Sequence, residues 1–320
     1  MSTGSFRIAA VQAAPVFGDA TASAAKACEL IAEAASLGVS IAGFSETWLP
    51  GYCRFVNAPL GAPEKRKLQA QYIESAIDVP GPETEQLCAA ARECGIDVAI
   101  GVVERDPLTR GSVYCALVFI SADGEIIGKH RKLKPTYAER TAWADGDGSG
   151  LRAMERPYAR ISGLNCWEHN MVLPAYALMA DGTQVHVAAF PGYESAPPAR
   201  SGTRQLLLSR AFASQAAAYT ILAGGVLRPS DVADPDMREA VAMLPPLTGD
   251  SYIIDPFGDV IAGPIEGEGI LVAEASLDQV REAKATCDAA GHYSRPDVLQ
   301  LVVNRQPAAR LIERSVDPDR

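Results

Sequence analysis

Apolar positions in this chain alternate between a strand rhythm and a helix rhythm. Phe6–Ala13 is a short run of β-formers, and Asp19 to Leu37 then sets Ala24, Cys28, Ile31 and Ala35 on one helical face before Gly38 ends it. Val39–Ser45 returns as a strand, and Pro50-Gly51 forces a loop soon after, so Glu46 is held at a strand end. Helices are predicted over Pro63–Ile77 and Pro82–Cys94, the second closed by Gly95. Ile96–Glu104, Ser112–Ser121 and Glu125–Lys132 read as strands, and Asp123-Gly124 supplies the hairpin turn between the last two.

Beyond them, Gly146, Gly148 and Gly150 mark a loop expected to be exposed. The apolar run Ala159–Leu164 leads to Cys166, where the pattern breaks into Trp167-Glu168-His169-Asn170 and a helix reaching Ala180. Gln184–Phe190 and Tyr219–Gly224 are strands, Pro191–Pro198 a loop and Thr203–Ala218 a helix. Arg228–Thr248 holds four prolines and little pattern, which reads as a long ordered loop or a mobile cover. Gly249–Asp255 and Val260–Gly263 form a hairpin, and Ile270–Ala275 a last core strand. Ser276 with Gln279 carries the capping-box signature of a helix over Leu277–Ala289. With no internal repeat and no shift of composition, the pattern predicts one α/β domain over residues 1–296 and a peripheral tail over 297–320.

Composition supports a sizeable core, at 48% apolar and 21% charged residues. A net charge of -10 argues against nucleic acid and anionic membrane as partners. The basic run Lys129–Lys134 lacks the interleaved aromatics of a nucleic-acid platform. No stretch approaches the ~18 consecutive apolar residues of a membrane span, and the short polar segment before Phe6 does not read as a signal peptide. Seven cysteines without a C-x-x-C pair fit a reducing compartment, so a cytoplasmic protein is expected. Four histidines without H-x-x-x-H spacing predict no metal site.

The chemistry is concentrated at Cys166. A thiol on a strand-to-helix turn is expected to be exposed at a sheet end, with backbone N–H groups lowering its pKa and offering donors to a developing anion. A nucleophile needs a base, and no histidine stands at a strand end to serve. Glu46 and Lys132 do stand at strand ends, and in an open α/β sheet those ends share one ligand-binding edge. Each also has a plain reading: a buried apolar cysteine, a surface carboxylate, one cation of a solvated run. Glu139 could open a helix beside Arg140.

Together these stretches resemble a known family. Phe44-Ser45-Glu46 before Pro50-Gly51-Tyr52, Arg131-Lys132-Leu133-Lys134-Pro135-Thr136 with Glu139-Arg140, and Leu164-Asn165-Cys166-Trp167-Glu168-His169 look like the nitrilase branch of the carbon–nitrogen hydrolase superfamily, as does Gly291–Asp297. The resemblance implies a four-layer α-β-β-α sandwich and a Glu-Lys-Cys triad carried by Glu46, Lys132 and Cys166, with Glu139 as the second glutamate. It implies hydrolysis of a small nitrile to acid and ammonia through a Cys166 thioimidate, with no metal or organic cofactor, in a homodimer or higher oligomer. Tyr52, Trp167 and Phe190 are candidate pocket walls; Cys53 and Phe190 depart from the proline and tryptophan the family often carries there. An amidase or a cyanide-degrading enzyme would use the same triad, and a thiol sensor or binding protein would need Cys166 alone.

Overall fold

Side chains of the central strands part to two sides. Ile8, Ala10, Ile41, Ala99, Leu117 and Phe119 enter one apolar cluster, while Val11, Ala42, Val98, Ile100 and Val118 enter another. This is the period-two alternation of strands buried on both faces. The structure is a computed structural model that describes residues 4–192, 201–309 and 311. Its first strands are β1 (Ser5–Gln12), β2 (Val39–Gly43), β3 (Asp97–Arg105), β4 (Val113–Ile120), β5 (Ile126–Arg131), β6 (Met154–Glu155) and β7 (Arg160–Asn165). They are followed by β8 (Val185–Phe190), β9 (Tyr219–Gly224), β10 (Val226–Leu227), β11 (Leu247–Thr248), β12 (Tyr252–Ile254), β13 (Val260–Ala262) and β14 (Gly269–Ser276).

Two six-stranded sheets result, in the orders β14-β1-β2-β3-β4-β5 and β13-β12-β9-β8-β7-β6. The cluster holding Ile8 and Phe119 lies between them, closed from the second sheet by Ile161, Val187, Ala189 and Ile221. Helices α1 (Ala20–Ser36), α2 (Ala62–Glu74), α3 (Pro82–Cys94), α4 (Val172–Ala180), α5 (Ser201–Ala216), α6 (Pro235–Ala242) and α7 (Leu277–Thr286) complete the chain. α1 and α3 cover the outer face of the first sheet through Ala24, Ile31, Leu87 and Ala91. α4 and α5 cover the second through Leu178, Met179 and Phe212. The order of layers is α-β-β-α, as the resemblance implied. Full burial of one such aliphatic or aromatic side chain contributes about 1.5–3 kcal/mol, so the three layer interfaces dominate stability.

Several expectations are corrected. The three strand ends do not share one sheet: Glu46 and Lys132 follow β2 and β5 of the first, Cys166 follows β7 of the second. The loop Gly146–Gly150 is half-buried, and its Gly146 N–H donates to the Lys132 carbonyl at 2.8 Å. Arg228–Thr248 contains α6, for which Asp234 caps Met237 N–H at 2.8 Å with Pro235 at the first position. Its buried Met237, Ala240 and Val241 span little more than one turn, too short a stretch for periodicity to show. β14 is a half-buried edge strand rather than a core one. Ser276 does cap α7 through Asp278 N–H, but Gln279 bonds Tyr219 and Asp255 instead of closing a box. Most of the Pro191–Pro198 loop lies outside the described residues. The tail crosses the second sheet's helices, with Leu301 and Val303 packed there and Arg305 paired to Asp181 at 2.9 Å.

Candidate active site

β2 stops at Gly43, and the next residues cross the middle of β3 at close range. A Cβ on Gly101 would lie 2.2 Å from the Ser45 carbonyl oxygen, so only glycine lets this loop sit there. Glu46 follows, its N–H donating to the Phe190 carbonyl of the second sheet at 3.3 Å. Lys132 leaves β5 with its N–H on the Cys115 carbonyl at 2.8 Å. Cys166 opens a short 3-10 turn, Cys166–Asn170, instead of the helix expected directly. Thr47, Tyr137 and Cys166 all have positive φ, at 45°, 47° and 50°. Strained backbone of this kind persists where surrounding contacts over-determine it, commonly at functional sites.

Those three segments meet. Lys132 Nζ donates to Glu46 Oε1 at 2.7 Å and to Glu139 Oε2 at 2.6 Å. Carboxylate oxygens of Glu46 and Glu139 and the Cys166 sulfur lie within 4.8 Å of one another. All four residues are buried, at 1–4% exposure, so each unpaired charge would be costly. Such a Glu-Glu-Cys group offers three ligand atoms to a metal, but the Lys132 ammonium already bonds both carboxylates and supplies a cation there. Glu139 is further held by the Tyr52 hydroxyl at 2.7 Å and the Thr136 N–H at 2.6 Å.

Burial pushes Glu46 up to about 7, helped by Glu139 and opposed by Lys132. For Lys132 burial favours the neutral amine, yet Glu46, Cys166 and Glu139 outweigh it and hold the ammonium well above the usual lysine value. Cys166 corrects the sequence-based expectation. Burial and then Glu46 push its thiol well above the ordinary range, against the opposing pull of Lys132 and the Trp167 N–H. The resting group is therefore a buried thiol, not an exposed thiolate.

A cavity of about 350 Å³ opens onto Cys166 and Glu139, walled by Tyr52, Trp167, Leu244 and Leu247 and edged by Gln205. Phe190 is not among its walls. It is wholly buried behind Cys166, stacked on His169 at 5.3 Å between ring centres. Tyr52 both lines the cavity and supports Glu139.

Two supporting groups escaped the sequence. The Cys115 thiol, on β4, donates to Glu46 Oε1 at 3.4 Å; a lone cysteine in an apolar strand gives no signal of this. Glu168 accepts N–H groups from Leu133 at 2.8 Å and Asn165 at 2.9 Å, and the His130 ring nitrogen at 3.1 Å. It thereby ties the exit of β5, which carries Lys132, to the exit of β7, which carries Cys166. Burial works against its charge, but His130 and the two N–H groups hold its carboxyl below the ordinary glutamate value. Its place in Cys-Trp-Glu was the available clue.

The family model for carbon-nitrogen hydrolases matches residues 7–285. Nitrilase 2 of an unknown prokaryotic organism is 50% identical over 317 residues, covering 99% of this chain and 98% of that one. An aliphatic nitrilase of Rhodococcus rhodochrous is 37% identical over 312 residues, covering 95% and 84%. Among solved structures, Saccharomyces cerevisiae Nit3, a member of branch 10 of the nitrilase superfamily, superposes with a TM-score of 0.69 at 19% identity, over 88% of this chain and 94% of that one. That likeness concerns the fold alone. On the family match and the two sequence relatives, the chain belongs to the carbon–nitrogen hydrolases, in their nitrilase branch.

Proposed function

We propose that this nitrilase-branch hydrolase converts an organic nitrile and two waters to a carboxylic acid and ammonia, with Cys166 as nucleophile, Glu46 as general base and acid, Lys132 as electrostatic stabiliser and Glu139 as positioning partner. The observation that carries the reading is the Lys132 ammonium bonded to both glutamates with the Cys166 sulfur beside them.

Because the resting thiol is protonated, attack and proton removal go together. As Cys166 sulfur bonds the nitrile carbon, its proton passes to Glu46 Oε2, the oxygen with no other partner, and Glu46 returns a proton to the nitrile nitrogen. The product is a neutral thioimidate. Glu46 then deprotonates a water, which adds to the same carbon. Glu46 returns that proton to the nitrogen, then passes the adduct's hydroxyl proton to it as well, and ammonia leaves a thioester. A second water, activated likewise, breaks the carbon–sulfur bond and restores the thiol. A base held at about 7 is matched to this shuttle near neutral pH. Lys132 and the Trp167 N–H face the charge that develops on nitrogen and later on oxygen.

Tyr52 and Trp167 belong to the same reading as walls for the nitrile's substituent. So does assembly as a homodimer or larger oligomer in the cytoplasm, a part supported by the reducing-compartment cysteine usage and the exposed apolar Val172 and Leu173 on α4. Ammonia release with product mass tests the chemistry, run on aliphatic, arylacetonitrile and aromatic nitriles, cyanide, and the matching amides. Acid and ammonia from nitriles support the proposal. Turnover confined to amides or to cyanide replaces it with one of those activities.

A further inference from the structure

Behind the nucleophile runs a buried hydrogen-bonded chain that the proposed chemistry does not use. His169 Nδ1 lies 2.7 Å from the Cys166 carbonyl oxygen, and its Nε2 lies 3.0 Å from His186 Nε2. His186 Nδ1 lies 2.9 Å from the Ser162 hydroxyl, which lies 3.0 Å from that of Thr183. All four side chains are at least nine-tenths buried. They come from the turn after Cys166, from β8, from β7 and from the loop before β8, so the chain anchors the turn to the second sheet.

Two facts set the direction of the ring bonds: a carbonyl oxygen can only accept, and burial keeps both rings neutral. His169 therefore carries its proton on Nδ1. Burial, the largest influence, holds His169 down to about 4 against the Cys166 carbonyl and Glu168, with His130 and Lys132 acting the same way as burial, so its Nε2 is bare and accepts. His186 then donates from Nε2 and accepts at Nδ1, where Ser162 donates. The rings are clamped face to face, His169 on Phe190 and His186 on Phe212, each pair inclined by 24°.

The carbonyl so held shares its peptide with the Trp167 N–H. That peptide is not among the cis bonds, so the two groups point opposite ways. Gripping the oxygen from the sheet side fixes the N–H on the opposite side of the peptide, where it favours the Cys166 thiolate against burial. Glu168 holds the preceding peptide by accepting the Asn165 N–H. Cys166, strained at φ 50°, is thus fixed on both sides.

We infer that the His169–His186–Ser162 chain is a positioning device that aims the Trp167 N–H at the reacting sulfur and at the anion formed on the substrate. The inference rests on Cys166 being the nucleophile. It makes His169 a positioning residue, since it touches no reacting atom.

The test pairs steady-state kinetics on phenylacetonitrile and hexanenitrile with the pH dependence of Cys166 alkylation by iodoacetamide, followed by peptide mass. His169→Phe keeps a ring on Phe190 and deletes the donor. The expected result is a fall in kcat of about 10- to 100-fold with KM changed by less than about 3-fold, because a misaimed anion donor is felt chiefly in the transition state. The alkylation midpoint moves up, since the thiolate loses its N–H, and His169→Asn, which offers an amide donor, recovers part of both. Ser162→Ala, the smallest change along the chain, shifts both readouts in the same direction by a smaller factor. Parental kcat and an unmoved midpoint in folded His169→Phe overturn the inference. If that variant does not fold, an unmoved midpoint in Ser162→Ala does so. A parent protein that alkylates at Cys166 but releases no ammonia instead counts against the nitrilase reading and leaves the alkylation comparison intact.

Discussion

Lys132 donates to only one oxygen of Glu46, Oε1 at 2.7 Å, and the other oxygen, Oε2, is buried without a partner among the described residues. An unpartnered carboxylate oxygen in a dry site is unfavourable for stability and useful for chemistry, because it is free to take a proton. Replacing Lys132 by Met removes the cation bonded to two buried carboxylates. The expected outcome is a loss of about 3–5 kcal/mol in denaturant-unfolding stability together with loss of turnover.

Glu46 also sets a pH dependence of stability. Its folded pKa, about 7, lies above the ordinary glutamate value of 4.5. Across that window the folded chain holds a proton that the unfolded chain has released, so this group's contribution falls as pH rises from about 5 to 7. Glu46→Gln cannot titrate. Urea midpoints measured at both ends of the window should decline less steeply with pH in Glu46→Gln than in the parent, and parallel declines would reject the assignment.

Cys115 supplies the second donor to Glu46 Oε1. A thiol is a weak donor, so its hydrogen bond contributes toward the lower end of ~0.5–1.5 kcal/mol. At 1.36 kcal/mol per pKa unit, Cys115→Ala should move the acid limb of kcat/KM upward by about half a unit. The limb is read from a pH–rate profile; a downward move would contradict the geometry.

Tyr52→Phe deletes the hydroxyl that holds Glu139 Oε1 at 2.7 Å while leaving the ring in the cavity wall. Hydrogen bonds to charged groups contribute ~1.5–3 kcal/mol. A fall in kcat of about 10- to 100-fold is expected, with the iodoacetamide reactivity of Cys166 nearly unchanged.

Gly101→Ala places a methyl group 2.2 Å from the Ser45 carbonyl and 2.3 Å from the Thr47 N–H. The loop carrying Glu46 must shift. Overpacking of this kind costs about 1–3 kcal/mol, visible as a lowered melting temperature, and activity should fall by more than the stability loss explains.

Much of this arrangement was legible from the chain. Strands and helices of ordinary length announced themselves by period, and the end-of-strand positions of Glu46, Lys132 and Cys166 pointed to a common edge. What periodicity does not show is which sheet a strand joins: β7 and β2 read alike, yet they lie in different layers. The thiol of Cys166 was expected to be activated by its turn, but burial beside two carboxylates outweighs the local N–H. Phe190 stands at the end of β8 as a pocket wall would, yet its ring turns behind the nucleophile to stack on His169. Cys115 and the His169–His186 pair act through contacts 69 and 17 positions apart in sequence, which no local pattern encodes.

The central claim is covalent catalysis by Cys166. Acid-quenched mixtures of protein and nitrile, digested and weighed by mass spectrometry, test it most directly. The account predicts a substrate-derived thioimidate or thioester mass on the peptide containing Cys166, and neither adduct nor ammonia with Cys166→Ala. Undiminished ammonia release from nitrile by Cys166→Ala would contradict it.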